Sequence, residues 1–232
     1  MKFERTRHYY EACTNYRQTL RQIWAEYDEK MQKIERYRGS AGYSKEQAAA
    51  EKERDAAIKD LQSEYRQRFN GIIKGMRESA TTRSMIPPTQ DQLALLQALK
   101  MREKISRDEL EQAGRTLKDC PVCLSVLAEI AQNLSQKTGS HDYYGLNFAT
   151  NSTAGILRSI DGLADSAQRI CSLDKCDSRR DMIGHANIHS PEWDSNALYS
   201  FRIDKDVNSS REAMELYGGV SDFDSFAEAV NE

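Results

Sequence analysis

Glycine and proline are scarce in this sequence, at 12 and 4 of its 232 residues. A β-sandwich needs a turn about every 8–12 residues, and glycine and proline form many of these turns, so their scarcity argues against an all-β fold. Long apolar runs are also lacking, and the mean hydropathy of −0.75 predicts no membrane-spanning helix. The opening residues, MKFER, are charged, so we expect no secretory signal there. The composition therefore predicts a mostly α-helical chain.

The sequence also lacks the short motifs by which common enzyme classes are recognised. It contains no glycine-rich phosphate-binding loop, no G-x-S-x-G and no H-E-x-x-H. We therefore expect no catalytic residues and no cofactor. The protein is expected to act by binding other molecules.

The five cysteines are the main candidates for chemistry. An odd number cannot pair completely, so we expect unpaired thiols in a reducing, cytoplasmic compartment. Cys120 and Cys123 have the C-x-x-C spacing of a zinc knuckle or a redox pair. Cys171, however, falls on an apolar helical stripe, which favours thiols that are simply packed in the core. Zinc binding and redox chemistry are the less favoured alternatives. A zinc site would draw its ligands from Cys120, Cys123, Cys171, Cys176, His185 and His189.

Charge is distributed unevenly along the chain, although the net charge is only −3. Residues 1–90 carry 18 Lys or Arg and 13 Asp or Glu, whereas residues 91–232 carry 15 and 23. A basic front and an acidic tail indicate contact with a polyanion or head-to-tail contact between copies. Mixed charges on long helices more often form a solvated surface, and we favour that interpretation.

Residues 1–84 have the pattern of two long helices in an antiparallel hairpin. Apolar and aromatic residues recur at three- and four-residue spacing over 13–37 and again over 58–76, as on the buried face of an amphipathic helix. The short link GSAG at 39–42 makes the two helices neighbours. A lone hairpin buries little surface, so we expect a second copy of the chain to cover its coiled-coil-like seam. The residues expected to mediate this self-association are Leu20, Ile23, Trp24, Tyr27, Ile34, Leu61, Tyr65, Phe69 and Ile72.

Arginine and tyrosine alternate through the same hairpin, which raises nucleic-acid binding as an alternative function. Tyrosine rings stack on bases and arginines contact phosphates. Most of these tyrosines, however, fall on the predicted seam, and acidic residues interrupt the basic stripes. No signature of a nucleic-acid-binding module is present, so we keep this function as the alternative. The residues that would contact nucleic acid are Arg17, Arg21, Arg36, Arg38, Arg66 and Arg68.

Consecutive prolines mark a boundary after the hairpin. Proline ends helices and stiffens the chain, so Pro87 and Pro88 predict a hinge over 85–89. A helical bundle is predicted over 90–177. Thr89 and Ser106 begin sequences with capping-box spacing, and Asp119 is expected to cap a third helix.

Residues 178–232 are expected to form an irregular, acidic C-terminal arm with a terminal amphipathic helix. Phe223 and Phe226 lie three residues apart with Val230 beyond them, and acids occupy the first turn, where the helix dipole favours them. A helix of this kind can lie in a groove of another protein. We expect Phe223, Phe226 and Val230 to bind a protein partner, and packing of the helix on its own domain is an equal alternative.

The Tyr/Arg-rich hairpin, the Pro-Pro hinge, the block LALLQALKMREKISRDEL at 93–110 and the acidic tail resemble proteins of tailed phages and prophages of Gram-positive bacteria. In layout the chain is most similar to head-assembly proteins such as scaffolding proteins. The resemblance implies a helical protein that oligomerises through coiled coils and engages the capsid protein with a terminal segment. It also implies a location in the cytoplasm of an infected or lysogenic cell, or in the virion. The cysteines and the predicted bundle depart from a typical scaffold. An accessory virion protein, or a phage-encoded inhibitor that binds a host defence protein, therefore stays open.

Overall fold

Six α-helices account for most of the described chain. The computed structural model describes residues 4–40, 42–139 and 152–175, together with 141, 143, 146, 148, 203–204 and 228–229. None of these residues lies in a β-strand, so the predicted mostly α-helical fold is confirmed. The helices are α1 (Glu4–Glu35), α2 (Tyr43–Ser84), α3 (Gln90–Lys100), α4 (Arg107–Thr116), α5 (Pro121–Thr138) and α6 (Thr153–Ile170).

The first two helices lie side by side and run in opposite directions. Tyr9 contacts Phe69, and Tyr16 contacts Tyr65, with the ring centroids 5.4 Å apart in each pair. The chain reverses near Gly39, whose φ of +89° is a conformation that residues with a Cβ rarely adopt. A short turn therefore joins two helices of unequal length.

α6 packs along this pair of helices and completes a three-helix core. Ile160 and Leu163 of α6 are almost fully buried against the N-terminal half of α1 and the C-terminal half of α2. The aromatic and apolar stripes of all three helices point into this core, as amphipathic periodicity requires. Its large buried side chains are Tyr9, Tyr10, Tyr16 and Leu20 from α1, Ile58, Leu61, Tyr65, Phe69, Ile73 and Met76 from α2, and Ile156, Ile160, Leu163 and Ile170 from α6.

The position of α6 differs from the sequence prediction, which assigned residues 90–177 to one bundle. α6 instead covers the first two helices, and α3, α4 and α5 form a separate, smaller core with Phe148. The physical reason is the amount of apolar surface, because the aromatic seam of α1 and α2 is longer than any face that α3 or α4 offers. Burial of the larger surface gains more free energy.

The short helices begin where their sequences predict. Thr89 and Ser106 form complete capping boxes at the starts of α3 and α4. In the second box, hydrogen bonds from the Ser106 backbone and from Arg102 lower the pKa of Glu109 to about 2. These local signals were sufficient because a capping box needs only residues three positions apart.

The predicted cap of the next helix is wrong. The N-cap of α5 is Cys120 and not Asp119, because Pro121 occupies the first helical position. Proline is favoured at that position, where its missing N–H is not needed. The residue directly before it therefore becomes the cap.

The start of α1 is capped by a side chain from the far end of the sequence. The Asp204 carboxylate accepts hydrogen bonds from the backbone N–H groups of Arg5, at 2.9 Å, and Thr6, at 3.1 Å, and from the Thr6 hydroxyl. Asp204 is only 3% exposed, and its neighbour Ile203 belongs to the three-helix core. Residues 203–204 therefore fix the first turn of α1, whose N–H groups have no partner within the helix.

Gly114 in α4 provides a test of the smaller core. A Cβ at this position would lie 2.3 Å from Cε1 of Phe148, whereas a Cβ at Gly71 in α2 would meet nothing within 4 Å. We expect Gly114→Ala to lower the free energy of unfolding by about 1–2 kcal/mol, because overpacking outweighs the better helix propensity of alanine. Gly71→Ala is the matched control and should raise it by about 0.5–1 kcal/mol. Urea denaturation measures both, and equal stabilisation by the two substitutions would contradict the Phe148 contact.

Candidate interaction surface

The tyrosine-rich part of the seam is covered by the same chain. Tyr9 donates a hydrogen bond through its hydroxyl to the backbone carbonyl of Leu163 at 2.9 Å, and Tyr16 donates to that of Leu173 at 3.0 Å. Burial raises the pKa of both tyrosines above the usual range, so both remain protonated donors. This half of the hairpin is therefore closed to a second copy of the chain.

Donors from α1 and α2 also hold the C-terminal end of α6. The Trp24 indole N–H donates to the Asp174 carbonyl at 2.7 Å, and the Gln62 amide donates to the Asp174 carboxylate at 2.9 Å. The Arg66 guanidinium donates to the Cys171 carbonyl at 3.4 Å. The Cys171 carbonyl, at the C-cap of α6, has no partner within the helix and needs such a donor. Asp174, four residues after the end of α6, lies level with Trp24 on α1 and Gln62 on α2.

Two cations stack on aromatic rings at this level. The Arg54 guanidinium lies 4.7 Å from the ring centroid of Trp24 and 4.5 Å from that of Tyr27, and the Lys175 ammonium lies 4.6 Å from Trp24. Each contact contributes about 0.5–1 kcal/mol at an exposed site. Apolar periodicity gives no signal for such cations, so sequence reasoning missed both. These two cations cover the end of the three-helix core that is nearest the tip of the hairpin.

Beyond this level the first two helices continue without α6. We call residues 25–57 the distal hairpin, in which α1 extends about three further turns past Trp24. No residue of the distal hairpin belongs to either core of the described chain. Its apolar side chains on α1, which are Tyr27, Met31 and Ile34, are only half-buried. They form a seam between two helices with no third helix described beside it.

Polar contacts hold the rest of the distal hairpin together. The Lys30 ammonium lies 2.7 Å from the Glu53 carboxylate across the two helices. The Tyr43 hydroxyl donates to the Glu35 carboxylate at 2.8 Å, and this hydrogen bond raises the pKa of Tyr43. Exposed pairs of this kind contribute about 0–1 kcal/mol each. At the tip, Tyr37 is 62% exposed. The contacts within the distal hairpin therefore stabilise it only weakly, and part of its apolar surface is accessible.

The structure divides the nine residues predicted to mediate self-association into two groups. Tyr27 and Ile34 lie on the distal hairpin. The other seven pack in or against the three-helix core, where four are buried by their own chain and three, Ile23, Trp24 and Ile72, are partly covered by it. The seven are Leu20, Ile23, Trp24, Leu61, Tyr65, Phe69 and Ile72. An interface along the whole hairpin, as the sequence predicted, is therefore reduced to its distal part.

The six arginines of the nucleic-acid alternative do not share one surface. Arg17 is only 3% exposed and lies too deep to contact a phosphate. Arg38 pairs with Glu35, and Arg68 lies 5.5 Å above the Tyr65 ring. The exposed arginines are divided between the tip of the hairpin and its middle: Arg21, Arg36, Arg38, Arg66 and Arg68.

The predicted zinc ligands that the structure describes do not come together. Cys120 and Cys123 lie in the smaller core, whereas Cys171 lies in the three-helix core. Among the described positions, no three Cys, His, Asp or Glu side chains are grouped so that they could hold a metal ion. The remaining candidates lie outside the described residues, as do the predicted partner-binding residues of the tail. These are Cys176, His185 and His189, and Phe223, Phe226 and Val230.

A groove of about 380 Å³ lies between α2 and α6. Phe69 and Ile73 form part of its apolar floor, and Arg66, Asn70 and Gln168 form its polar edge. Its described lining contains no carboxylate or imidazole that could act as a general base.

No protein-family model, curated protein or solved structure matches this chain. Among the described residues, none of the helices is both long enough and apolar enough to cross a membrane.

Proposed function

We propose that this is a non-enzymatic, helical interaction protein that self-associates through its distal hairpin. One observation carries the proposal: among the described residues, α6 and the four residues that follow it reach along the hairpin only as far as Trp24 and Gln62, and the seam continues beyond them. Tyr27, Met31 and Ile34 occupy that continuation and are half-buried. A second distal hairpin packed against this seam would complete a four-helix arrangement of the kind that buries such stripes.

The physical argument rests on how little the distal hairpin buries alone. Isolated helices owe most of their stability in proteins to packing of an apolar face, and two helices give each other only part of that cover. The exposed ion pairs add little. A partner that buries the remaining surface of Tyr27 and Ile34 would therefore stabilise both copies by the hydrophobic effect.

The resemblance in layout to head-assembly proteins implies oligomerisation through coiled coils, which is the same class of function. Capsid or host proteins as further partners, and attachment through Phe223 and Phe226, stay predictions. Nucleic-acid binding stays the alternative, but the burial of Arg17 and the division of the other arginines favour a protein partner.

The test introduces charge into the distal seam. We expect wild-type protein to form a dimer or a larger assembly at tens of micromolar, and Tyr27→Asp with Ile34→Asp to weaken that association by about two orders of magnitude or more, since both carboxylates would lose their water in an apolar interface. Gln22→Asp with Gln32→Asp adds the same charge at two exposed positions of α1 and should leave assembly intact. Multi-angle light scattering after size exclusion measures all three masses.

Circular dichroism establishes whether each variant keeps its helices. A folded seam variant with the wild-type mass would contradict the proposed interface. A wild-type protein that stays monomeric throughout this concentration range would contradict self-association itself.

A further inference from the structure

Two thiols occupy the positions of a capping box at the start of α5. Cys120 is the N-cap, with an extended backbone (φ −117°, ψ 94°), and Cys123 is the third helical residue. At the same two positions of α4, the Ser106 hydroxyl donates to the Glu109 carboxylate at 3.0 Å, so this spacing can bring two side chains together in this protein. The Cys120 side chain makes no capping hydrogen bond, and its thiol lies close enough to Cys123 to raise the pKa of the Cys123 thiol.

The backbone at this position suits a disulfide bond. Residues three apart in a helical turn have Cα atoms about 5 Å apart, inside the range of roughly 4.4–6.8 Å that disulfides span. Pro121, between the two cysteines, fixes the first turn. Bond formation therefore requires rotation of two side chains and leaves the helix in place.

The surroundings give the two sulfurs different roles. Cys120 follows the exposed residues Lys118 and Asp119 and is itself 6% exposed, whereas Cys123 is 0% exposed. Burial, together with the neighbouring Cys120 thiol, raises the pKa of Cys123 to about 12. Cys123 is therefore protonated at neutral pH, and Cys120 is the sulfur that an oxidant meets first.

We propose that Cys120 and Cys123 form a reversible dithiol–disulfide site that exchanges with small disulfides of the glutathione class. The Cys120 thiolate attacks one sulfur of glutathione disulfide, the glutathione S–S bond breaks, and one glutathione leaves as a thiolate. Cys123 then loses its proton to that thiolate and attacks the Cys120 sulfur, and the second glutathione leaves. The two cysteine thiols are oxidised, and one glutathione disulfide is reduced to two glutathione molecules.

The other described thiols provide an internal control. Cys13 and Cys171 are both fully buried in the three-helix core. Burial raises the pKa of Cys13, and it raises the pKa of Cys171 to about 11. Cys13 lies within α1, and Cys171 is 0% exposed although exposed Ser172 follows it and it lines the groove between α2 and α6. Both should therefore remain reduced under conditions that oxidise the α5 pair.

The experiment is a glutathione redox titration of the full chain carrying Cys176→Ser, followed by alkylation and mass spectrometry. We expect the protein to lose two hydrogen masses, peptide mapping to place the bond between Cys120 and Cys123, and reduced glutathione to reverse it. Adding Cys123→Ser should trap one glutathione on Cys120. Adding Cys120→Ser should slow modification of the remaining Cys123 by about tenfold or more, because a buried thiol with a raised pKa is a poor nucleophile.

The titration needs no substitution in the pair, so it decides the proposal even where a serine variant fails to fold. Failure to lose two hydrogen masses at any ratio of glutathione disulfide to glutathione would overturn it. Oxidation of Cys13 with Cys171 ahead of the α5 pair would also overturn it. Equal glutathione uptake by the two folded serine variants would refute the assigned roles.

Discussion

Tyr16→Ala is expected to lower the free energy of unfolding by about 3–5 kcal/mol, the range for removing a buried aromatic side chain. Tyr16 is 1% exposed, its ring packs against that of Tyr65, and its hydroxyl donates to the Leu173 carbonyl. The substitution therefore leaves a cavity between all three helices and removes the shorter of the two hydrogen bonds to the Leu173 carbonyl. For a domain with a total stability of about 5–15 kcal/mol, this is a large fraction.

The matched control for this prediction is Tyr37→Ala. Tyr37 is on the same hairpin but is 62% exposed at its tip, so its removal should change the free energy of unfolding by less than about 0.5 kcal/mol. Guanidinium denaturation followed by circular dichroism measures both substitutions at low protein concentration, where self-association does not contribute. Similar effects of the two would mean that α6 does not cover the seam at Tyr16.

Asp204→Ala is expected to cost about 2–4 kcal/mol, although it changes only one side chain outside the helices. Loss of an N-cap typically costs about 1–2 kcal/mol, and buried donors without an acceptor add about 1–3 kcal/mol. Here the backbone N–H groups of Arg5 and Thr6 and the Thr6 hydroxyl all lose their acceptor. Asp161→Ala is the control, because Asp161 forms an exposed ion pair with Arg77 that contributes about 0–1 kcal/mol.

The pH dependence of the free energy of unfolding separates the effect of the charge on Asp204 from the effect of its hydrogen bonds. Burial raises the pKa of Asp204 above its usual value and outweighs the hydrogen bonds from Thr6 and Arg5, which lower it. The folded state therefore holds this proton more tightly than the unfolded state. The part of the stability that depends on this proton is complete below the unfolded pKa of Asp204 and is lost as the pH rises through its folded pKa.

Asp204→Asn keeps an acceptor at the N-cap but does not titrate. We expect it to retain most of the stability that Asp204→Ala loses, since asparagine is as good an N-cap as aspartate. We also expect it to become more stable relative to wild type as the pH rises through the raised pKa. Urea denaturation across the acidic pH range measures this difference. A difference that does not change with pH, or that has the opposite sign, would show that Asp204 is not buried as described.

The periodic part of the fold could be read from the sequence. Spacing of apolar residues located the buried faces of α1 and α2, and the capping boxes at Thr89 and Ser106 located the starts of α3 and α4. These signals are local, because residues three or four positions apart share a helix face or a helix start. The all-α class follows from them together with the scarcity of glycine and proline.

What covers a buried face could not be read in the same way. The stripe containing Tyr16 and Leu20 shows that this face avoids water, but periodicity does not distinguish a second copy of the chain from α6. The structure shows α6 on this face, which reduces the expected interface to the distal hairpin. The outcome depended on long-range topology, which an amphipathic pattern leaves open.

Single polar contacts across the chain gave no sequence signal at all. Asp204 caps a helix 199 residues away from it, and Gln62 and Trp24 hold the end of α6. Each of these residues stands alone and is not part of a repeating pattern. Its hydrogen bonds form only once the helices have packed together. Arg17 is the opposite case. Its charge predicted an exposed side chain that could contact nucleic acid, but the side chain is buried.

Hydrogen exchange measured by mass spectrometry at two protein concentrations tests the central claim most directly. The claim is that α6 closes the N-terminal half of the seam, whereas the distal hairpin associates between copies. On concentrating the protein, we expect peptides from 25–57 to gain protection, and peptides from 5–20 and 156–170 to remain equally protected at both concentrations. Protection that rises in 5–20 and 156–170 while 25–57 stays unchanged would contradict both the cover by α6 and the distal interface.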